Sequence, residues 1–387
     1  MSDFRRRNLM ILGGAALVSV LLAGVAVYQE SQATKMQFTP REFLPGFAAQ
    51  VKNSARIHVV SHSGSFDVAY SPAKGWVLPA KGNYPADFNQ VRHTLLGLAA
   101  LETVEPKTAR ADWLSYLGLE TPPKGNGIEI VVSDAGGHEI AGVITGNTTQ
   151  IDTGEGGTGV FVRRPGDNQS YLARTVFTPH GDLSDWVDTN VMSVDAARVN
   201  SVTITPFSGA PYTVTREHPS DADFRLDGPP PAKGLAASTS QIDLVPQIVS
   251  GFAFTDVKPA PELDFSKAAH LTAHTFDDQN IRMDAVKVND AVWVRISAQP
   301  DPGTPTMQKQ EAAMINARAA NWAYELATER GQFFSMTRDN LFAKAQAQPG
   351  EGQPGEGQPG EGMPPQGGPG HVPLSSMTGH SLTGARH

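Results

Sequence analysis

The 387-residue chain contains no cysteine. That excludes disulfides, thiolate metal centres, a cysteine nucleophile and a lipid-modified cysteine anchor. It also lacks a basic excess. The net charge is −8, which argues against nucleic acid as a partner. No glycine-rich loop carries the lysine and hydroxyl pair that cradles phosphates, so the chain holds no ATPase motif of its own. No serine sits in a nucleophile-elbow pattern, and no histidine pair brackets a glutamate as in a metalloprotease helix.

Apolar runs of spanning length are scarce as well. The one that stands out begins after Arg5-Arg6-Arg7 and continues uncharged from Leu9 to Tyr28. Roughly 20 helical residues rising about 1.5 Å each span a ~30 Å hydrocarbon core. The sequence therefore predicts a cytoplasmic basic stub (1–8) and a transmembrane anchor (9–28). The triple arginine places the remainder of the chain on the far side of the membrane. A cleaved leader, with candidate sites after Ala26 and Ala33, is the alternative. Residues 29–54 form a connector interrupted by Pro40 and Pro45. At the other end, 346–387 repeats Gln-Pro-Gly-Glu-Gly three times from Gln348 and offers almost nothing apolar to bury; disorder is expected there.

Between these ends the same order of segments occurs twice, at domain scale. Ile57–Val60, Phe66–Tyr70 and Trp76–Leu78 recur as Val202–Thr205, Tyr212–Arg216 and Phe224–Leu226. Later, Val160–Arg163 recurs as Val292–Arg295, and Tyr171 matches Tyr324. Period-two alternation marks these as strands. Pro85-Ala86-Asp87 starts a helix with Val91, Leu95, Leu98 and Leu101 on one stripe. Its counterpart starts at Ser238 with Leu244, Ile248 and Phe252 inward, although Pro246 is awkward in a helix. A helical turn is expected at Asp112–Leu119. Near the end, the repeat favours a helix over 306–319, a strand over 321–327 and a helix over 335–345. The expected fold is α+β: two tandem copies (55–190 and 191–345) of a small mixed or antiparallel sheet plus helix, the second with an inserted helix at 306–319.

Candidate chemistry is thin. His270 and His274 have a metal-like i, i+4 spacing, but on a strand and without a glutamate. Asp182, Asp185 and Asp188 surround Trp186 and read as carboxylates at a helix start. The Gly154–Gly159 loop reads as a hairpin loop. Ser61, His62 and Ser63 are neighbours without a third partner, and Asn147 and Asn168 mark polar turns. Trp76, Trp113, Trp186, Trp293 and Trp322 read as core or rim packing, with a groove between the two copies as the place for any ligand. The reading names no catalytic, cofactor-binding or metal-ligating residue.

The order of Trp76-Val77-Leu78, Tyr84-Pro85-Ala86-Asp87, the apolar helix to Leu101, Tyr116-Leu-Gly118-Leu-Glu-Thr-Pro122 and Ile144-Thr-Gly146 resembles the bacterial domain-of-unknown-function 4340 family. The stretch Glu311–Arg318, Trp322-Ala-Tyr324 and Asp339-Asn-Leu341 extends the resemblance to about residue 345. It implies a non-catalytic, membrane-anchored accessory or scaffold protein in the periplasm, associated with gliding-type ABC transport systems whose ATPase is a separate chain. Its partners would be the membrane and other membrane proteins such as transporter subunits. The alternative is a periplasmic ligand-binding module with its site between the repeats.

Overall fold

The computed structural model describes residues 40–151 and 157–344. Among the described residues eighteen strands form the two large sheets, and all their pairings are antiparallel. The first half supplies β1 (Ser54–Ser61), β2 (Gly64–Ser71), β3 (Gly75–Leu78), β4 (Glu102–Pro106), β5 (Ile128–Asp134), β6 (Glu139–Gln150), β7 (Thr158–Arg163) and β8 (Ser170–Arg174). The second supplies β9 (Val199–Thr205), β10 (Tyr212–Thr215), β11 (Arg225–Leu226), β12 (Asp256–Pro259), β13 (Ala269–Thr275), β14 (Gln279–Val288), β15 (Ala291–Pro300) and β16 (Trp322–Leu326).

The strand order is the same in both sheets. The first runs β4-β8-β7-β6-β5-β1-β2-β3, and the second runs β12-β16-β15-β14-β13-β9-β10-β11. Two-residue strands, Arg41–Glu42 beside β4 and Tyr84–Pro85 beside β3, lengthen the first sheet to ten strands. Register matches as well: Ile57 faces Val68 as Val202 faces Val214. Alternation explains the faces. Ile57, Val59, Val202 and Ile204 are all fully buried, whereas His58 and Thr203 point outward between them.

Helices are few and short. α1 (Phe88–Ala99) lays Val91, Leu95 and Leu98 on the inner face of the first sheet. Asp87 caps it, accepting from the backbone N–H of Asn89 at 2.8 Å and of Gln90 at 3.2 Å. The second sheet is covered by two single turns, α2 (Thr239–Ile242) and α3 (Gln247–Ser250), and by α4 (Thr306–Ala319).

The α+β expectation is therefore corrected: the protein is mostly antiparallel sheet with a few short helices. Two local causes account for it, at Pro246 and after Thr337. Pro246 splits the second apolar segment into α2 and α3, so Ile242, Val245 and Ile248 are buried while Leu244 stays 39% exposed. The helical turn expected at 112–119 is present as a 3₁₀ turn, Ala111–Leu117, ended by Gly118 at φ 67°. The expected helix over 335–345 is a 3₁₀ turn, Arg338–Leu341, followed by a strand, Phe342–Lys344, that pairs with Leu235–Ala237. The sheets are also larger than the small ones expected. The apolar run 9–28 and the tail 346–387 lie outside the described residues. Among the described residues, no helix is long and apolar enough to cross a membrane.

Candidate functional site

The halves meet at a seam built by one loop of the first. After β3, the 3₁₀ turn Pro79–Lys81 ends at Gly82 (φ 67°) and Asn83 (φ 65°), two consecutive left-handed residues. A Cβ on Gly82 would lie 2.5 Å from Pro259 Cγ, so only glycine allows this approach. The turn sends Tyr84 out of its own half and into the core of the second. There its ring meets Trp322 edge-on at 4.9 Å, and Phe254 and Tyr324 at 6.3 Å each. Tyr84 Oη donates to the Asp188 carbonyl at 2.8 Å. Burial pushes both phenols, Tyr84 and Tyr324, well above the usual range, so they remain neutral donors. Lys81 Nζ and Asp256 Oδ1 pair across the seam at 2.6 Å, and Arg318 donates to Asn190 at 3.2 Å.

Beside this lock lies a cavity of about 230 Å³ lined by Lys81, Ser184, Val187, Thr189, Phe254 and Asp256. It combines apolar walls with one charge of each sign, the mixture that small-molecule sites use to hold and orient a ligand. Its lining comes from both halves.

His270 and His274 share the outer face of β13 but take separate partners. His270 Nδ1 lies 2.7 Å from Asp284 Oδ1, and Asp284 also accepts from Arg282 Nε and Arg295 Nε. His274 Nε2 lies 3.0 Å from Asp301 Oδ2. With Asp278 these two make a trio whose ligand atoms lie within 4.8 Å of one another. One oxygen of Asp301 is engaged by Asn280 Nδ2 at 2.6 Å. The trio offers one ligand atom fewer than a structural zinc takes. Sequence reasoning missed it because β14 and β15 separate Asp301 from His274; the Asp277-Asp278 turn was the available signal.

The other weighed residues have local tasks. Ser61 Oγ donates to the Gly181 carbonyl at 2.8 Å. Asp185 pairs with His180 at 3.0 Å, and Asp188 accepts from the Asn190 N–H at 2.9 Å. Asp182 stands at the N-cap of the Leu183–Trp186 turn without a side-chain cap bond. Asn147 donates to the Tyr116 carbonyl. Part of the Gly154–Gly159 loop lies outside the described residues; Thr158 and Gly159 open β7. Of the tryptophans, Trp186, Trp293 and Trp322 are buried. Trp76 is half-buried at a cleft rim. Trp113 departs from the packing expectation: it is 50% exposed on its 3₁₀ turn, with the Arg110 guanidinium 5.0 Å from its ring centre.

No curated protein and no solved structure matches the chain. One family model does, that of the "Domain of unknown function (DUF4340)", over residues 76–273. The match runs from Trp76 on β3 to Ala273 on β13 and so takes in parts of both halves and the seam between them. It covers more than half of the 387 residues, and the chain belongs to the DUF4340 family.

Proposed function

We infer that the protein is a non-catalytic platform: an extracytoplasmic accessory or scaffold subunit that holds partner membrane proteins, in the first instance those of an ABC-type transport system. The observation that carries this reading is the seam. Tyr84, seated among Phe254, Trp322 and Tyr324, and the Lys81–Asp256 pair tie two sheets of the same strand order to each other. Such a body offers two large sheets held together, which suits recognition of large partners more than chemistry. The apolar sequence of residues 9–28 supports attachment at the membrane with the sheets beyond it. Detergent extraction of the full chain, affinity capture and mass spectrometry test this. Co-recovery of permease and ATPase subunits is expected, and repeated recovery of the chain alone overturns it.

The second reading is a ligand-binding module, favoured by the seam cavity and its Lys81 and Asp256. Under that reading the chain is recovered alone and a small molecule raises its melting temperature by mass action. Lys81→Ala would abolish that rise.

A further inference from the structure

The two halves can be laid over each other residue by residue at one further place, and there they differ. Each first strand is preceded by a 3₁₀ turn, Val51–Asn53 before β1 and Ala196–Arg198 before β9. Each opens with a bulge. Ser54 pairs with Asp134 and Arg56 with Ser133, as Val199 pairs with Thr275 and Ser201 with His274. Two residues beyond the matched Val68 and Val214 stand Tyr70 and Arg216. Tyr70 pairs directly with Trp76. Continuing the β10–β11 register one step from Thr215–Arg225 sets Arg216 against Phe224.

In the second half this place is filled. The Arg216 guanidinium lies 4.7 Å from the Phe224 ring centre and 5.8 Å from that of Phe276. Its Nε donates to the Val199 carbonyl at 2.9 Å, its Nη1 to the Asp221 carbonyl at 3.2 Å, and its Nη2 to the Ala196 carbonyl. The side chain is buried, and its charge is met by carbonyl dipoles and ring faces.

In the first half the same place is an open cleft of about 640 Å³ lined by Val51, Ser54, Tyr70, Trp76, Leu95 and Asp134, among others. Val51 and Ser54 match Ala196 and Val199, the residues whose carbonyls Arg216 engages. Trp76 matches Phe224. The Tyr70 ring, 51% exposed, stands edge-to-face to Trp76 at 5.7 Å and leaves the cleft free among the described residues. Ser54 Oγ is buried and has no hydrogen-bond partner among the described residues, which is costly unless a donor or acceptor reaches it.

We propose that this cleft is a binding site for an arginine side chain of a partner polypeptide, which would enter it as Arg216 enters the matching place in the second half. The guanidinium would stack on Trp76 and Tyr70 and donate to the carbonyls of Val51 and Ser54; the Asp134 carboxylate is already engaged by the N–H groups of Gly136 and His138. A planar fork that stacks and donates in several directions suits this set, and an ammonium does not. Lys52 also lines the cleft, so recognition rests on rings and carbonyls rather than on net negative charge.

The proposal deepens the platform reading by naming what a partner presents, and rests on it for the partner being a protein. Its test is independent of partner recovery. The purified full chain is titrated with N-acetyl-arginine amide, with the citrulline and lysine analogues as controls, by calorimetry and by the shift of the Trp76 indole resonance. At least tenfold tighter binding of the arginine compound, with Trp76 shifted, is expected. Tyr70→Arg should supply the missing guanidinium from within, abolish binding and melt at or above the wild-type temperature. Should that variant not fold, Trp76→Leu replaces it, with at least tenfold weaker binding expected. Equal binding of citrulline, no shift at Trp76, or unchanged binding in the folded variant overturns the proposal.

Discussion

The two halves share a strand order and a register but cover their sheets by different means. In the first, one capped twelve-residue helix covers the inner face together with Phe43, Leu44 and Phe47 of the preceding segment, and Gly97 on the helix lies so close to Phe177 that a Cβ would fall 2.1 Å from the ring. In the second, Pro246 breaks the matching segment and α4 supplies additional cover. The need for α4 is visible in β15. β16 pairs only with Val292–Val294, and the strand continues to Pro300. Along that stretch the Asn316 side chain takes the role of a neighbouring strand: its Oδ1 accepts from the Ala298 N–H and its Nδ2 donates to the Ala298 carbonyl, both at 2.8 Å. An exposed strand edge invites pairing with other chains, and α4 closes this one. The comparison teaches that the sheet is the invariant part of the repeat and that its coverings are replaceable.

The strongest way to break the comparison is to separate the halves. Tyr84→Ala removes a buried ring from the second core and the hydrogen bond to Asp188. A loss of about 3–5 kcal/mol is expected, and calorimetry should show one melting transition for the wild type and two for the variant. A single transition would mean that the remaining seam contacts suffice. Next in size is Glu311→Ala. Glu311 binds Arg198 in bidentate fashion at 2.8 and 2.7 Å, and Arg198 also reaches Asp277. All three side chains are mostly shielded from water. About 1.5–3 kcal/mol should be lost, with faster amide exchange in α4 and none in α1. Equal acceleration in both helices would show that α4 is not an independent cover.

Much of the repeat is legible in sequence because strand periodicity survives substitution: Ile57 with Val202, Phe66 with Tyr212 and Tyr171 with Tyr324 keep their places. What fails is non-local. Leu244 is inward on an unbroken helical stripe, but the stripe does not carry through Pro246 and the side chain stays exposed. The segment after Thr337 carries a capping box with Asn340, a helix-start signal, yet Phe342–Lys344 pairs with a strand more than a hundred residues earlier. Trp186 corresponds to Leu341, because the backbone N–H groups of Asp87 and Ser238 donate to their carbonyls, each at 2.8 Å. A match by residue type, Asp185 with Asp339, would instead set Trp186 against Asn340. At the cleft, Tyr70 and Arg216 were already aligned in sequence. That one fills a space the other leaves open depends on carbonyl positions, which no side-chain pattern reports.

A smaller effect is expected from Asn316→Ala, about 1 kcal/mol for the half-buried amide. Its sharper consequence is self-association at the uncovered β15 edge, measured by sedimentation, with the variant staying monomeric as the contrary result. The smallest effect separates the halves by acid. Desolvation opposes the charge on Asp284, but hydrogen bonds from Arg295 and His270 and the nearby guanidinium charges outweigh it and hold the carboxyl below its ordinary 3.8. In the first half, Asp67 is likewise held down against desolvation by Arg56 and His58, but from a more exposed position. A carboxyl depressed in the folded state stabilises it fully above its unfolded value and loses that contribution as pH falls through the folded one. Stability should thus drain below about pH 3.8. Asp284→Asn should flatten that acid slope more than Asp67→Asn, because Asp284 is the less exposed and faces two guanidinium groups. Equal flattening would place the acid sensitivity outside the second sheet's outer face.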